Sequence, residues 1–421
     1  MKKEIDFNEI VFRDNDKILF FERRNRKLTW DFYKEITINI DLNRVFYRTI
    51  SEYKGSDYYI DLKDSQYFNQ GEFFWNEFRK LNIYDLTCRC RVLRNLPIIK
   101  SRDLILRAFS YFLEFFNKNK FDYLITYTSD SYITELIIYV AKLYKIKVYA
   151  IGGAFIENTK RITEKGEIQF ISEKPKDFVE KIRIGLQNKM KVVGKPSKKI
   201  VVYRTFKYTF SILFRYIYHY IILHKLFGKL NYDYLLAGNQ LEETVFSKLF
   251  FFKFIKINQI DDRTLGESIY IPLHFYPEAT VDYWSDSPEK SFYLESLCEI
   301  LAYFRERNVN VYLKEHPAIF LRRPLYFYKT LMKYSNCKII APFEETAEIF
   351  KVFDKVIIWT GTTGLEAAMN NVNVYLYSKN YWDLGFFKHW KNYTEKSIVS
   401  DSEKDLILRN FLNSLVVVDD K

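Results

Sequence analysis

Between Ser268 and Tyr377, short runs of β-branched and aromatic residues alternate with stretches of helical period, and no other feature restricts the fold of this chain so strongly. SIYIPL (Ser268–Leu273), VNVYL (Val309–Leu313), Cys337–Ala341, KVIIW (Lys355–Trp359) and Val372–Tyr377 read as strands. Ser287-Pro288-Glu289 is expected to open a helix, with Ser as cap and Pro in the first turn. Phe292, Leu297, Ile300, Leu301 and Phe304 would form the apolar face of that helix. Glu345–Val352 and Leu365–Asn370 read as shorter helices. An alternation sustained this long predicts a doubly wound α/β sheet.

The first half carries the same logic in a shorter form. KILFF (Lys17–Phe21) and DYYIDL (Asp57–Leu62) read as strands, and Arg102–Phe116 as a helix with Leu104, Ile105, Ala108, Phe109, Phe112 and Phe116 on one face. DYLIT (Asp122–Thr126), a helix over Ser131–Tyr144 and a strand over Lys147–Ile151 make a parallel βαβ crossover. Two Rossmann-like domains are therefore expected. Their boundaries are placed at residues 1–195 and 265–400, with a helical, basic linker over 196–264 and a C-terminal helix and tail over 401–421.

A length of 421 residues suits two such domains, and a hydrophobic content of 48% excludes an extensively disordered chain. Aromatic residues reach 19%, a value that the accompanying richness in Lys, Ile and Asn assigns to base composition more than to stacking chemistry. Cys88, Cys90, Cys298 and Cys337 are too scattered for a disulfide framework or a zinc site, which fits a reducing cytoplasm. The first residues, MKKEIDFNEIVFRDND, carry acids where a signal peptide needs an apolar run.

Lys plus Arg exceed Asp plus Glu by 65 to 53, a formal charge of +12 that suits nucleic acid, anionic lipid or a negatively charged substrate. Basic residues spread along the chain without a helix-turn-helix, finger or RNP-like signature, so nucleic acid is not the expected partner. Phe206–Leu230 is the nearest approach to a membrane element. Arg215, His219, His224 and Lys225 interrupt its apolar run, so it reads as a helix lying on an anionic membrane surface or as a core helix between domains, not as a span.

In an open parallel sheet a ligand lies beyond the carboxyl ends of the strands. The residues expected there are polar: His274 and Glu278 after SIYIPL, Lys314-Glu315-His316-Pro317 after VNVYL, and Thr360-Gly361-Thr362-Thr363-Gly364 after KVIIW. Two glycines for close backbone approach, helix-start amides and the hydroxyls of Thr362 and Thr363 suit a phosphate, although a plain strand-to-helix turn with a Thr cap has the same sequence. Glu366 is placed to accept from ribose hydroxyls or to complement the helix dipole. Pro317 restricts His316 to an extended backbone and so fixes the direction of its imidazole. In the first half, Asp130 and Glu157 follow strands, with capping of the next helix and a solvated loop as their ordinary roles.

KEHP followed by TGTTGLEAA resembles the donor-binding half of GT-B glycosyltransferases, in particular sialyltransferase-like, Kdo-transferase and capsular polysaccharide enzymes. PLHFYPEATVDYW (Pro272–Trp284) is similar to a segment of surface-polysaccharide biosynthesis proteins, and FIENTKRITEKGE (Phe155–Glu167) to their Glu-Asn-Gly stretch, with Thr159 standing in place of the Gly. The resemblance implies two Rossmann-like domains facing a central cleft, an N-terminal acceptor domain and a C-terminal nucleotide-sugar donor domain. It implies transfer of Kdo or another nonulosonic acid from a CMP-activated donor to a surface glycan or lipid-linked acceptor, at the inner face of the cytoplasmic membrane.

On that reading Lys314, His316, Pro317, Thr360, Gly361, Thr362, Thr363, Gly364 and Glu366 hold the nucleotide phosphate, and the catalytic candidates are Glu157, Asp130, Glu278 and His274. No metal or other cofactor is expected, since no Asp-x-Asp suited to holding a metal–diphosphate is present and Asp261-Asp262 is an adjacent pair in a loop. A UDP-sugar hexosyltransferase, a nucleotide-sugar 2-epimerase, a teichoic-acid-type glycerophosphotransferase and a non-catalytic assembly protein share the pattern.

Overall fold

The computed structural model describes residues 12–22, 45–52, 55–62, 71–154, 156, 159–187, 198–215, 217–218, 221–222, 254–260, 266–274, 279–319 and 323–417. The elements of the first part are β1 (Lys17–Glu22), β2 (Phe46–Ser51), β3 (Tyr58–Tyr59), α1 (Glu72–Lys80), α2 (Ile83–Arg89), α3 (Ile98–Lys118), β4 (Tyr123–Tyr127), α4 (Tyr132–Leu143), β5 (Lys147–Gly153), β6 (Thr159–Ile162) and α5 (Lys176–Gln187). They continue with α6 (Lys198–Arg215), β7 (Ser268–Pro272), α7 (Ala279–Asp282), α8 (Tyr293–Arg305), β8 (Asn310–Lys314), α9 (Leu325–Leu331), β9 (Cys337–Ile340), α10 (Thr346–Val352), β10 (Lys355–Ile358), α11 (Thr363–Met369), β11 (Asn373–Leu376), β12 (Lys388–His389), α12 (Asp401–Leu412) and β13 (Leu415–Val417).

The chain forms two compact α/β units, one of Met1–Val179 with Leu408–Lys421, the other of Glu180–Ile407. It leaves the first unit within α5, ahead of the expected boundary at 195, and returns within α12, so the C-terminal tail completes the first unit.

The first unit holds a seven-stranded sheet in the order β13-β6-β5-β4-β1-β2-β3. Its pairs from β5 to β3 are parallel, while β6 pairs antiparallel with both β5 and β13. Ile18 to Phe21 of β1 are all buried, as expected where helices cover both faces of a parallel sheet. The helix expected over 102–116 is α3, and all six residues assigned to its apolar face are buried, against a neighbouring α4. The strand expected over 57–62 is reduced to the two residues of β3. Asp57 aims its carboxylate at the Thr49 N–H (2.7 Å) and hydroxyl (2.9 Å), so a side chain takes the place of a ladder rung.

The second unit holds a six-stranded, wholly parallel sheet in the order β12-β11-β10-β7-β8-β9. Every strand expected between Ser268 and Tyr377 is present within a residue or two. The helix expected from Ser287 begins later, at Tyr293. Ser287 makes no cap bond, and Pro288–Ser291 form a tight turn that the Ser291 hydroxyl closes on the Pro288 carbonyl (2.6 Å). The expected face then packs correctly: Leu297, Ile300, Leu301 and Phe304 are buried in a core shared with Ile269, Ile271, Val311, Leu313 and Trp359.

Three helix-to-strand corners use one device. Lys145, Asn308 and Asn371 take positive φ of 55–60°, and the next residue donates back five positions, Ile146 to Ala141, Val309 to Phe304 and Val372 to Ala367. This closure satisfies the last helical carbonyls and turns the chain into the next strand.

Candidate functional site

In the second sheet the chain runs outward from β7 through β8 to β9, then returns to the other side of β7 as β10. The order reverses beside β7, and this switch point is where an open α/β sheet leaves a crevice beyond its strand ends. His274 follows β7, Lys314-Glu315-His316 closes and follows β8, and the Thr/Gly turn follows β10. Three adjacent parallel strands thus deliver the polar residues singled out in the sequence to one edge of one sheet.

His274 is buried. Its backbone N–H donates to the Tyr293 hydroxyl (2.9 Å), and its ring stands edge-on to Tyr293 and Trp359. Burial, with added repulsion from His316 and Arg323, pushes its pKa down to about 3. At neutral pH His274 is therefore an uncharged hydrogen-bonding group that adds no positive charge to the site.

Gly361 exists for this ring. A Cβ there would lie 3.0 Å from His274 Cε1. Gly364 is buried under a different side chain, since its Cβ would lie 2.6 Å from the Trp382 ring. Each glycine thus makes room for a side chain of the protein. Thr360 is also structural, being buried with its hydroxyl donating to the Thr280 carbonyl (2.7 Å). Thr362 holds the N-cap position of α11 without a cap bond from its side chain, so the plain Thr-cap alternative does not describe it. Thr362, Thr363 and Glu366 are half-buried.

The residue that organises this edge went unselected in the sequence reading. Glu315 is fully buried, and its carboxylate accepts from Arg323 Nε at 2.9 and 2.8 Å, from the Tyr328 hydroxyl and from the His316 N–H (2.7 Å). Arg323, equally buried, also donates to the His274 carbonyl and lies over the Phe327 ring at 4.9 Å. One ion pair thus ties the backbone of His316, after β8, to that of His274, after β7. The only sequence signal for it was an acid between the Lys and His of one strand end; Arg323 stands eight residues on with no motif to mark it. A second polar group missed by the sequence reading lies after β11: Ser378 donates to Asp286 (2.7 Å), as does Lys290 (2.7 Å). Burial raises the pKa of Asp286, but these hydrogen bonds outweigh it and hold the carboxyl below its ordinary value.

Of the three carboxylates expected to be candidates for catalysis, Asp130 alone is among the described residues. Asp130 lies in the first unit, half-buried at the end of β4, where Thr134 Oγ1 approaches it at 3.5 Å. Ser131, not Asp130, caps α4, accepting from the Thr134 N–H (3.2 Å). Glu157, Glu278 and the Asp261-Asp262 pair lie outside the described residues. Thr159 opens β6 with its hydroxyl on the Ile156 carbonyl (2.8 Å). Among the described residues, no three His, Cys, Asp or Glu side chains are grouped as a metal would need.

No protein-family model matches the chain, and no curated protein does. Among solved structures it is similar to a Thermosulfurimonas dismutans KpsC beta Kdo 2,7 transferase, at 14% identity over 76% of this chain and 88% of that one, with a TM-score of 0.34. It is similar to a beta Kdo 2,4 transferase KpsC of the same organism at 10% identity over 70% and 79% (TM-score 0.36). It is also similar to the Methanocaldococcus jannaschii UDP-GlcNAc 2-epimerase in complex with UDP-GlcNAc and UDP, at 14% identity over 96% and 93% (TM-score 0.27).

Proposed function

We propose that the chain is a metal-independent glycosyltransferase that moves Kdo or another nonulosonic acid from a CMP-activated donor to a surface glycan or lipid-linked acceptor. The observation that supports this reading is the convergence of His274, His316 and the Thr362-Thr363 turn at the ends of β7, β8 and β10, astride the switch point of a parallel sheet.

In this reading Lys314, His316 and the hydroxyls of Thr362 and Thr363 stabilise the negative charge that grows on the departing phosphate. His274, kept neutral by burial, supplies a hydrogen bond and leaves the acidic donor's countercharge to Lys314 and His316. Pro317, Gly361 and Gly364 hold the shape of the two turns, and Glu366 takes the ribose hydroxyls. A carboxylate, Glu157 first, then Asp130 or Glu278, removes the proton of the acceptor hydroxyl as its oxygen attacks the anomeric carbon.

The test is a thermal-shift panel of CMP, CDP, UDP, GDP and ADP without metal, repeated on His316→Ala and Thr362→Ala. A CMP-selective rise that both variants lose, with their own folding intact, is the expected result. A UDP-selective rise would move the reading to a hexosyltransferase or epimerase, and unchanged binding in both variants would remove these residues from the site.

A further inference from the structure

The net charge of this chain has an address. From Lys181 to Tyr232, 52 residues carry twelve Lys or Arg and no Asp or Glu. The other 369 residues hold 53 Lys or Arg against 53 Asp or Glu and are neutral overall. Cations are spread along the whole chain; what is lacking in this stretch is the acids that neutralise them elsewhere.

The stretch contains α6, whose exposed residues are not those of a solvated helix. Ile200, Tyr203, Phe206, Phe210 and Phe214 are each 45–70% exposed, and at 3.6 residues per turn they fall within about a third of the helix circumference. Lys199, Arg204 and Lys207 are exposed among them, and Val201 is buried on the protein side. The same helix packs against the Pro317–Ile319 turn that directly follows His316. No helix among the described residues is long and apolar enough to cross a membrane.

We infer that α6 docks the protein on an anionic bilayer surface, lying in the interface plane with Phe206, Phe210 and Phe214 inserted and Lys199, Arg204 and Lys207 on the lipid headgroups. Aromatic rings on the outward face fit the boundary between headgroups and acyl chains. A stretch with twelve cations and no acid of its own fits a negatively charged leaflet, where attraction acts within a Debye length of about 8 Å at physiological salt. A nucleic acid would use the same cations but has no need of a continuous apolar stripe on a helix. A second copy of the chain would cover the stripe but would bring another excess of positive charge against the first. Docking by a helix that rests on the turn after His316 would set the candidate site beside the membrane surface, where a lipid-anchored acceptor is found. The docking itself does not depend on the transfer reaction.

The experiment is co-sedimentation of the full chain with phosphatidylcholine vesicles, with and without phosphatidylglycerol, over a salt series. The expected result is binding only where phosphatidylglycerol is present, weakening as salt rises. Phe206→Ser/Phe210→Ser/Phe214→Ser should cut it by about tenfold or more, and Lys199→Glu/Arg204→Glu/Lys207→Glu should abolish the anionic preference. Both triple variants should melt like the parent, since all six positions are exposed. A separate Phe210→Trp variant should shift its emission to shorter wavelength on vesicle addition. Absence of binding by the parent protein, or binding unchanged in both triple variants, overturns the inference. A stripe needed for dimerisation instead, or single-stranded RNA bound by the same residues in preference to vesicles, overturns it equally.

Discussion

The two sheets of this protein finish their strands differently. In the second unit all six strands run parallel, so every carboxyl end points to the same edge, and a buried ion pair joins two of the turns that follow. In the first unit the turn after β4 is held by backbone bonds, from the Thr128 N–H to the Ile151 carbonyl (3.4 Å) and from the Ser129 N–H to the Glu164 carbonyl (3.0 Å), with Ser131 capping α4, and β6 alone runs against its neighbours β5 and β13. A wholly parallel sheet lets independent loops be cross-braced from beneath, because their starting points are neighbours. The turn after β4 also has parallel neighbours, β5 and β1, so what sets the second unit apart is that its brace is a buried side-chain ion pair and not a pair of backbone bonds.

This contrast can be broken most forcibly at Arg323. Arg323→Met leaves Glu315 charged and buried with its main partner gone, and should cost about 3–5 kcal/mol in urea unfolding. Glu315→Leu/Arg323→Met should recover most of that loss, since an apolar pair can replace a buried ion pair at small cost. Asp130→Asn in the first unit should stay within about 0.5 kcal/mol of the parent. Equal losses from Arg323→Met and Asp130→Asn would show that the buried ion pair holds its turns no more firmly than the turn after β4 is held.

Gly364→Ala should follow, at about 1–3 kcal/mol, because Trp382 is ring, not a flexible tip, and the helix backbone has to move. Gly361→Ala meets only the edge of His274 and should lower nucleotide binding more than stability; equal effects of the two substitutions on the melting temperature would sink that distinction.

The pH dependence of stability sharpens the comparison further. His274 takes up a proton below pH 6.5 when unfolded but only near pH 3 when folded. Its contribution is thus complete above pH 6.5 and is lost as pH falls, by up to about 1.4 kcal/mol per pH unit. His274→Gln should flatten the slope of unfolding free energy between pH 6.5 and 5 by that amount, measured against the parent; an unchanged slope would place the effect elsewhere.

The smallest effect is expected at a helix corner of the first unit. Lys145 holds a positive φ of 60°, so Lys145→Gly should stabilise by about 0.5–1 kcal/mol in thermal unfolding. A loss there would mean that the Lys145 side chain contributes more than its backbone strain costs.

Strand positions in the second unit were legible because each is a short apolar run bounded by helical periodicity, and both signals are local. The edge strands β3, β12 and β13 were not resolved in the same way: two or three residues are too few for a period, and β13 finds its partner more than 250 residues earlier in the chain, at Thr159–Arg161. The site was legible to the same extent. His274, Lys314, His316 and the Thr/Gly turn could be selected because polar residues at the ends of apolar runs stand out in one dimension. That Gly364 makes room for a ring was not legible, because what a missing Cβ leaves space for depends on Trp382, 18 positions away.

The amino-acid sequence by itself determined the alternation of strands and helices, the apolar faces of α3 and α8, the charge of +12 and the set of polar residues that end β7, β8 and β10. Each of these is set by neighbours within a few residues, or by simple addition. Tertiary structure alone decided the strand order that makes β10, β7 and β8 adjacent, the burial that discharges His274, and the Glu315–Arg323 pair that joins two turns. Desolvation and ion pairing are set by what surrounds a group in space, and the residues that surround these come from segments the sequence keeps far apart.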